Sequence, residues 1–217
     1  MALSHSPRIV TDGLVLCLDA GNTKSYVGSG TTWNDLSGRR NTGTLTNGPT
    51  YSSANGGSIV LDGVNDYVTI AASSSMTMLG DFTIELWTRQ TSITSFNTLF
   101  EMGTYADGVM IRPGDSTVFI NGSSINHGLT LNQWTHIVVT RIGTTCTVYN
   151  NTTSTGSATI SGTVNSSPGA TWIGNSTHAP SRYFAGYVSN VRVLKGKGLT
   201  SAEISQNFNA LRARFGI

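Results

Sequence analysis

The stretch Ser58-Ile-Val-Leu-Asp-Gly-Val-Asn-Asp-Tyr-Val-Thr-Ile70, followed by Asp81-Phe-Thr-Ile-Glu-Leu-Trp-Thr-Arg89, decides the fold of this chain. Each segment alternates apolar with polar or β-branched residues, the period of a strand with one buried face. The Asp-Gly and Asn-Asp pairs between the first two runs are turn formers. Downstream, Leu131-Asn-Gln-Trp-Thr-His-Ile-Val-Val-Thr-Arg141 repeats the pattern. Phe82, Ile84 and Leu86, with Ile137 and Val139, are the expected inward residues, and Trp87 and Trp134 are expected at sheet edges or on the opposite face.

Outward from this nucleus, strands are predicted at Leu14–Asp19, Thr42–Leu45, Ser58–Leu61, Tyr67–Ile70, Phe82–Arg89, Thr98–Glu101, Gly108–Ile111, Thr117–Asn121, Trp134–Ile142, Thr145–Asn150, Ala158–Ile160, Thr171–Ile173 and Phe184–Leu194. Gly, Asn, Ser and Pro bound them and no helical period intervenes, so the fold class is all-β, with antiparallel sheets packed face to face. Residues 21–51 read as a long loop region pinned by Trp33, Leu36 and Leu45. One helix is predicted over residues 200–213: Thr200 caps it with Glu203 three residues on, and Ile204, Phe208 and Leu211 share a face.

A single domain is expected over 14–217, preceded by an N-terminal arm at 1–13. The arm carries only Leu3, Pro7, Ile9 and Val10 as apolar anchors, too few for a core of its own, so it is expected to find a surface on another chain. Removing residues 2–11 should then leave the sandwich folded. The first residues lack the basic-then-apolar pattern of a secretory signal. No apolar run approaches the roughly 18 residues of a membrane span, so no membrane partner is expected.

Charged residues are 11% of the 217-residue chain, where about 25% is usual. Gly reaches 25 residues and the formal net charge is +2. The surface is therefore neutral and polar, and the scattered basic residues give no nucleic-acid footprint. Cys17 and Cys146 sit in strand patterns and read as buried free thiols, with pairing left open because spacing cannot show proximity.

The phrases Leu61-Asp-Gly-Val-Asn-Asp-Tyr-Val68, Phe82-Thr-Ile-Glu-Leu-Trp87, Trp134-Thr-His-Ile-Val-Val-Thr-Arg141 and Phe184-Ala-Gly-Tyr-Val-Ser-Asn-Val-Arg-Val-Leu194 occur in that order. Together they resemble the concanavalin A-like, laminin-G-like β-sandwich, a jelly roll shared by lectins, glucanases and spacers. The opening, Ile9-Val-Thr-Asp-Gly-Leu-Val-Leu-Cys-Leu-Asp-Ala-Gly-Asn-Thr-Lys-Ser-Tyr26 through Gly43-Thr-Leu-Thr-Asn-Gly-Pro-Thr-Tyr51, is similar to the leader of laminin-G-like structural proteins of tailed phages, cyanophages among them. One departure is local: relatives carry an acidic pair where this chain has Ser189 and Asn190, which puts in doubt any calcium site built on that pair.

The resemblance admits a glycosidase, but the chain offers only Glu85, Glu101 and Glu203, dispersed, against the need for two carboxylates flanking one bond. His5, His127, His136 and His178 form no metal-binding spacing, and no Gly-x-Ser-x-Gly elbow is present. No catalytic residue is assigned. For calcium the candidate ligands are Asp62 and Asp66, and the preferred reading is a turn satisfying its own backbone, so no cofactor is expected.

Sugar recognition would combine an exposed aromatic ring with amides and carboxylates. The candidates are Tyr105 with Asp107, and Trp172 with Asn175, His178 and Tyr183.

The function expected is that of a non-enzymatic structural or decoration protein of a tailed-phage virion, made in the host cytoplasm. Its partners would be other virion proteins, further copies of itself and, as a candidate, surface polysaccharide. Assembly would run through the arm (Leu3, Pro7, Ile9, Val10) or the helix face (Ile204, Phe208, Leu211). The alternative is a carbohydrate-binding lectin or adhesin module.

Overall fold

A computed structural model describes residues 8–94, 96–167, 169–178 and 181–217. The chain forms two antiparallel sheets packed face to face. Numbered in chain order, the first sheet runs β14 (Thr153–Thr159), β13 (Thr145–Asn150), β12 (Thr135–Ile142), β7 (Phe82–Gln90), β16 (Ala185–Lys195), β5 (Ser58–Asp62), β4 (Thr50–Ser52), with β1 (Leu14–Asp19) beside β5 on the same flank of β16. The second runs β11 (Ser123–Asn126), β10 (Thr117–Ile120), β9 (Gly108–Arg112), β8 (Phe100–Gly103), β15 (Thr171–Ile173), β6 (Tyr67–Ile70), β3 (Gly43–Thr46), β2 (Thr32–Trp33). The helix α1 (Ser201–Leu211) continues into a 3-10 turn at Arg212–Phe215.

Alternation builds the core as expected. Phe82, Ile84 and Leu86 of β7 and Ile137 and Val139 of β12 meet Phe100, Met102, Val109 and Ile173 of the facing sheet, all fully buried. Cys146 joins this core, and both cysteines are buried free thiols whose pKa burial pushes up to about 11.

The predicted loop region over 21–51 contains the expected strand as β3 and, beyond what was expected, β2 and the start of β4. Asp35 organises it: its carboxylate accepts the backbone N–H groups of Cys17 (2.8 Å), Ser37 (2.9 Å) and Asn41 (2.9 Å), stapling the loop to β1. The hairpin strand β11 was also not anticipated, because Ser123-Ser-Ile-Asn126 carries one apolar residue and no visible alternation.

Part of the outer face of the first sheet is covered by α1. Its capping box forms as predicted, the Thr200 side chain accepting the Glu203 N–H while Glu203 accepts the Thr200 N–H. Ile204 is fully buried against Val138, Leu194 and Leu199. Phe208 and Phe215 stack on Trp87 at 5.6 and 4.2 Å, so Trp87 occupies the opposite face, as the pattern suggested. Trp134 precedes β12 and is only half-buried.

Beneath the helix lies a sealed polar cluster. Glu85 Oε1 is 2.7 Å from Arg192 Nε, Oε2 is 3.1 Å from His136 Nε2, and Asn207 Nδ2 donates to both carboxylate oxygens at 3.1 and 3.2 Å. Burial alone would raise the Glu85 pKa, but Arg192, His136 and Asn207 outweigh it and hold it down to about 2. Burial lowers the pKa of His136, keeping the ring neutral with its Nε2–H directed at Glu85.

Two assembly expectations are corrected here. Ile204 and Phe208 are buried within their own domain and Leu211 packs beside them, so this face is not free for another chain. The arm residues that are described also dock internally. Val10 packs on the Leu14–Leu194 cluster, its N–H donates to Asn207 Oδ1 at 2.7 Å, and Ile9 is half-buried. Leu3 and Pro7 lie outside the described residues.

Candidate functional site

The outer face of the second sheet carries the exposed chemistry. The residues that point away from the core line up across strands: Ser124 beside Phe119, Phe119 beside Met110, Met110 beside Glu101, Glu101 beside Trp172, and Trp172 beside Thr69. The middle of this row, Met110 and Glu101, is fully buried. Loop 174–178 folds back over it, and Glu101 is the anchor. Its Oε2 accepts from Ser176 Oγ at 2.6 Å and faces His178 Nδ1 at 3.3 Å, while its Oε1 accepts from the Thr177 N–H at 3.1 Å and the Thr177 hydroxyl. With this many donors, the acceptor capacity of the buried carboxyl group is met inside the protein.

Gly174 starts the loop at φ +87, where a Cβ would stand 2.4 Å from Leu61 Cδ1. Only glycine allows the chain to leave β15 so closely over the core.

Glu101 transmits order to the surface through His178. With Nδ1 facing Glu101, His178 Nε2 accepts the Tyr105 N–H at 2.6 Å, which fixes the orientation of the ring. The Tyr105 ring is 50% exposed and stacks on Phe119 at 4.3 Å, with His178 at 6.0 Å. Beside it, Phe96 is 49% exposed. The guanidinium groups of Arg182 and Arg112 lie 5.3 and 5.9 Å from the Phe96 ring, and Arg112 also covers Phe119 at 5.3 Å. Arg112 is held in place by Asp115 at 2.9 Å.

Of the predicted sugar-binding residues, Tyr105 and His178 come together at this site. Trp172 lies in the same row on the far side of Glu101, half-buried against Tyr67 with ring centroids 4.9 Å apart. Asp107 is committed to structure, since its Oδ2 accepts from the Ser166 backbone at 2.9 Å and from the Ser166 hydroxyl. Asn175 is a correction: it is buried, with Oδ1 sealed from solvent and unpartnered, so it presents nothing to a ligand. Tyr183 is half-buried and makes no ring contact with the others among the described residues.

Sequence reasoning missed Phe96, Phe119, Arg112, Arg182 and, above all, Glu101. Glu101 sits in the motif Phe100-Glu-Met-Gly103, whose lone outward carboxylate between two core residues was a usable signal.

Elsewhere, Asp62 Oδ1 accepts the backbone N–H groups of Val64 (2.8 Å), Asn65 (3.2 Å) and Asp66 (3.4 Å), bonds that lower its pKa. Asp66 Oδ2 accepts the Asp62 N–H at 3.2 Å. This is the self-satisfied turn preferred above. No group of three or more His, Cys, Asp or Glu side chains suited to a metal occurs among the described residues. Glu85 and Glu101, the two buried glutamates, do not form a hydrolytic pair, because they lie on opposite outer faces, more than the sheet spacing of about 10 Å apart.

Residues 62–205 match the family model of the concanavalin A-like lectin/glucanases superfamily. The chain belongs to this superfamily. Among solved structures it is similar to the binding domain of Paraclostridial mosquitocidal protein 1, at 18% identity and TM-score 0.68, covering 92% of this chain and 52% of that one. It is also similar to botulinum neurotoxin type C, whose cell entry is described as dependent upon interaction with two ganglioside molecules, at 15% identity and TM-score 0.71, covering 93% and 52%. A third is domain 4 of an extracellular arabinanase from Geobacillus stearothermophilus in complex with arabinotriose, at 17% identity and TM-score 0.67, covering 89% and 97%. The chain spans about half the length of the toxin chains. At these identities the likeness establishes the fold. No curated protein sequence matches the chain.

Proposed function

We propose that this protein is a non-enzymatic binding module that contacts glycans through the Tyr105–Phe119–His178 cluster and is displayed as a structural component of a tailed-phage virion. The carrying observation is Tyr105: a half-exposed ring stacked on Phe119, with its backbone held by a histidine that a buried carboxylate orients. Pre-ordering an aromatic platform lowers the entropy lost when a sugar stacks on it. The neighbouring Phe96, Arg112 and Arg182 add a second ring and polar donors. No pocket opens among the described residues, so contact is with an open surface, as suits a polymer passing over it.

The arabinotriose complex of the similar arabinanase domain supports the glycan reading by analogy of fold. The virion reading rests on the resemblance of residues 9–51 to the leader of phage structural proteins, with other virion proteins and further copies of the chain as partners. The two parts are tested separately. A glycan array probed with the wild type and with Tyr105→Ala should give sugar-dependent signal for the first and loss for the second. Mass spectrometry of purified particles should find this chain, and its absence from particles would remove the virion part alone.

A further inference from the structure

The outer face of the first sheet carries a second strip that α1 leaves uncovered. Arg89, Tyr187, Val60 and Thr50 are consecutive cross-strand neighbours on β7, β16, β5 and β4. Trp134 extends this row beyond Arg89, with the Arg89 guanidinium 5.8 Å from its ring and 4.2 Å from the ring of Tyr187. Each of these side chains is partly or fully exposed. Spanning five positions at a strand spacing of about 4.8 Å, the row is about 19 Å long and one residue wide.

Arg89 is the only charge in the row. It makes no ion pair among the described residues, and its Nε is buried without a hydrogen-bond partner. The guanidinium packs beside both rings, which themselves meet with centroids 6.1 Å apart, so its orientation is fixed while its charge is uncompensated, and its two terminal nitrogens are the paired N–H donors left to receive a carboxylate. At one end, Asn55 accepts the Trp134 indole N–H at 3.1 Å, and at the other Thr50 offers a hydroxyl.

We propose that this strip is a second binding site, for an extended acidic saccharide whose carboxylate pairs with Arg89 while its sugar rings lie along Trp134 and Tyr187. Its narrowness argues for a chain as occupant, since a globular partner needs about 800 Å² on each side. The site lies on the opposite face of the sandwich from Tyr105 and does not depend on the function assigned there.

The test is calorimetric titration with a tetramer of galacturonic acid and with the neutral galactose tetramer, followed in parallel by tryptophan fluorescence through Trp134. The acidic tetramer should bind, more weakly as salt rises, and at least tenfold more tightly than the neutral one. Arg89→Gln should lose at least tenfold of that affinity, Arg89→Lys should fall between, and Tyr105→Ala should leave it unchanged. Circular dichroism checks that each variant is folded, and if Arg89→Gln is not, Arg89→Lys and the acidic-to-neutral contrast still decide. Equal affinity for the two tetramers, no binding of the acidic one at millimolar concentration, or unaltered affinity in a folded Arg89 variant would overturn the proposal. So would finding the strip buried in a self-associated form of the protein.

Discussion

Glu101 is where the order of the proposed glycan surface is set, although it touches no solvent. Replacing it by Gln keeps its volume but puts an amide N–H group against donors from Ser176, Thr177 and His178. Leaving buried donors without an acceptor costs about 1–3 kcal/mol. Glu101→Gln should therefore lower the melting temperature modestly and weaken glycan binding at least tenfold through loss of order at His178 and Tyr105. Unchanged binding in the folded variant would show that the loop does not need its anchor. Gly174→Ala should act on the same loop, destabilising by more than about 1 kcal/mol in a denaturant titration, because a side chain there meets both a positive φ and Leu61. A chelator should leave the melting temperature unmoved, since Asp62 already spends one oxygen on three backbone N–H groups. A drop restored by calcium would contradict that.

At the scale of elements, the helix and the N-terminal segment are one clamp. Val10 bonds Asn207, Asn207 bonds Glu85, and Glu85 pairs with Arg192 on the neighbouring strand. Deleting residues 8–11 removes the partner of Asn207 Oδ1 and uncovers Leu14 and Leu194, so the melting temperature should fall, contrary to the expectation that the fold is indifferent to this segment. Leu86→Ala should cost about 2–5 kcal/mol, whereas Trp134→Ala, half-exposed, should cost visibly less in the same melt. Most long strands and the capped helix were legible because alternation and the Thr200–Glu203 spacing are local signals. The short strands β2, β4 and β11 and most of β14 were not, although each pairs with its neighbour in sequence, because segments with at most one large apolar side chain carry no readable alternation. The site was half legible for a different reason: Tyr105 and His178 are loop residues of suitable chemistry, but only the pairing of β8 with β15, far apart in sequence, brings Glu101 under them.

The molecule as a whole should be sensitive to acid. Burial lowers the pKa of His127 to about 4 and lowers that of His136, while Glu85 is held down to about 2. In each case the unfolded chain takes up a proton before the native one does, so stability is fully present at neutral pH and declines as pH falls. The two histidines act first, below about 6.5, and Glu85 adds its share below about 4.5. Melting temperatures measured from pH 8 to pH 3 should fall in that order, and His127→Gln should remove part of the upper step. In the proposed function, the ordered face of the second sheet, and not a catalytic cleft, is the working surface of the sandwich. The direct measurement is equilibrium binding of the polysaccharide selected on the array to the wild type, Tyr105→Ala and Glu101→Gln, with the saccharide analysed afterwards for cleavage. The saccharide should stay intact, the wild type should bind it, and both variants should lose at least tenfold in affinity. Cleaved saccharide, or equal binding by all three folded proteins, would contradict the proposed function.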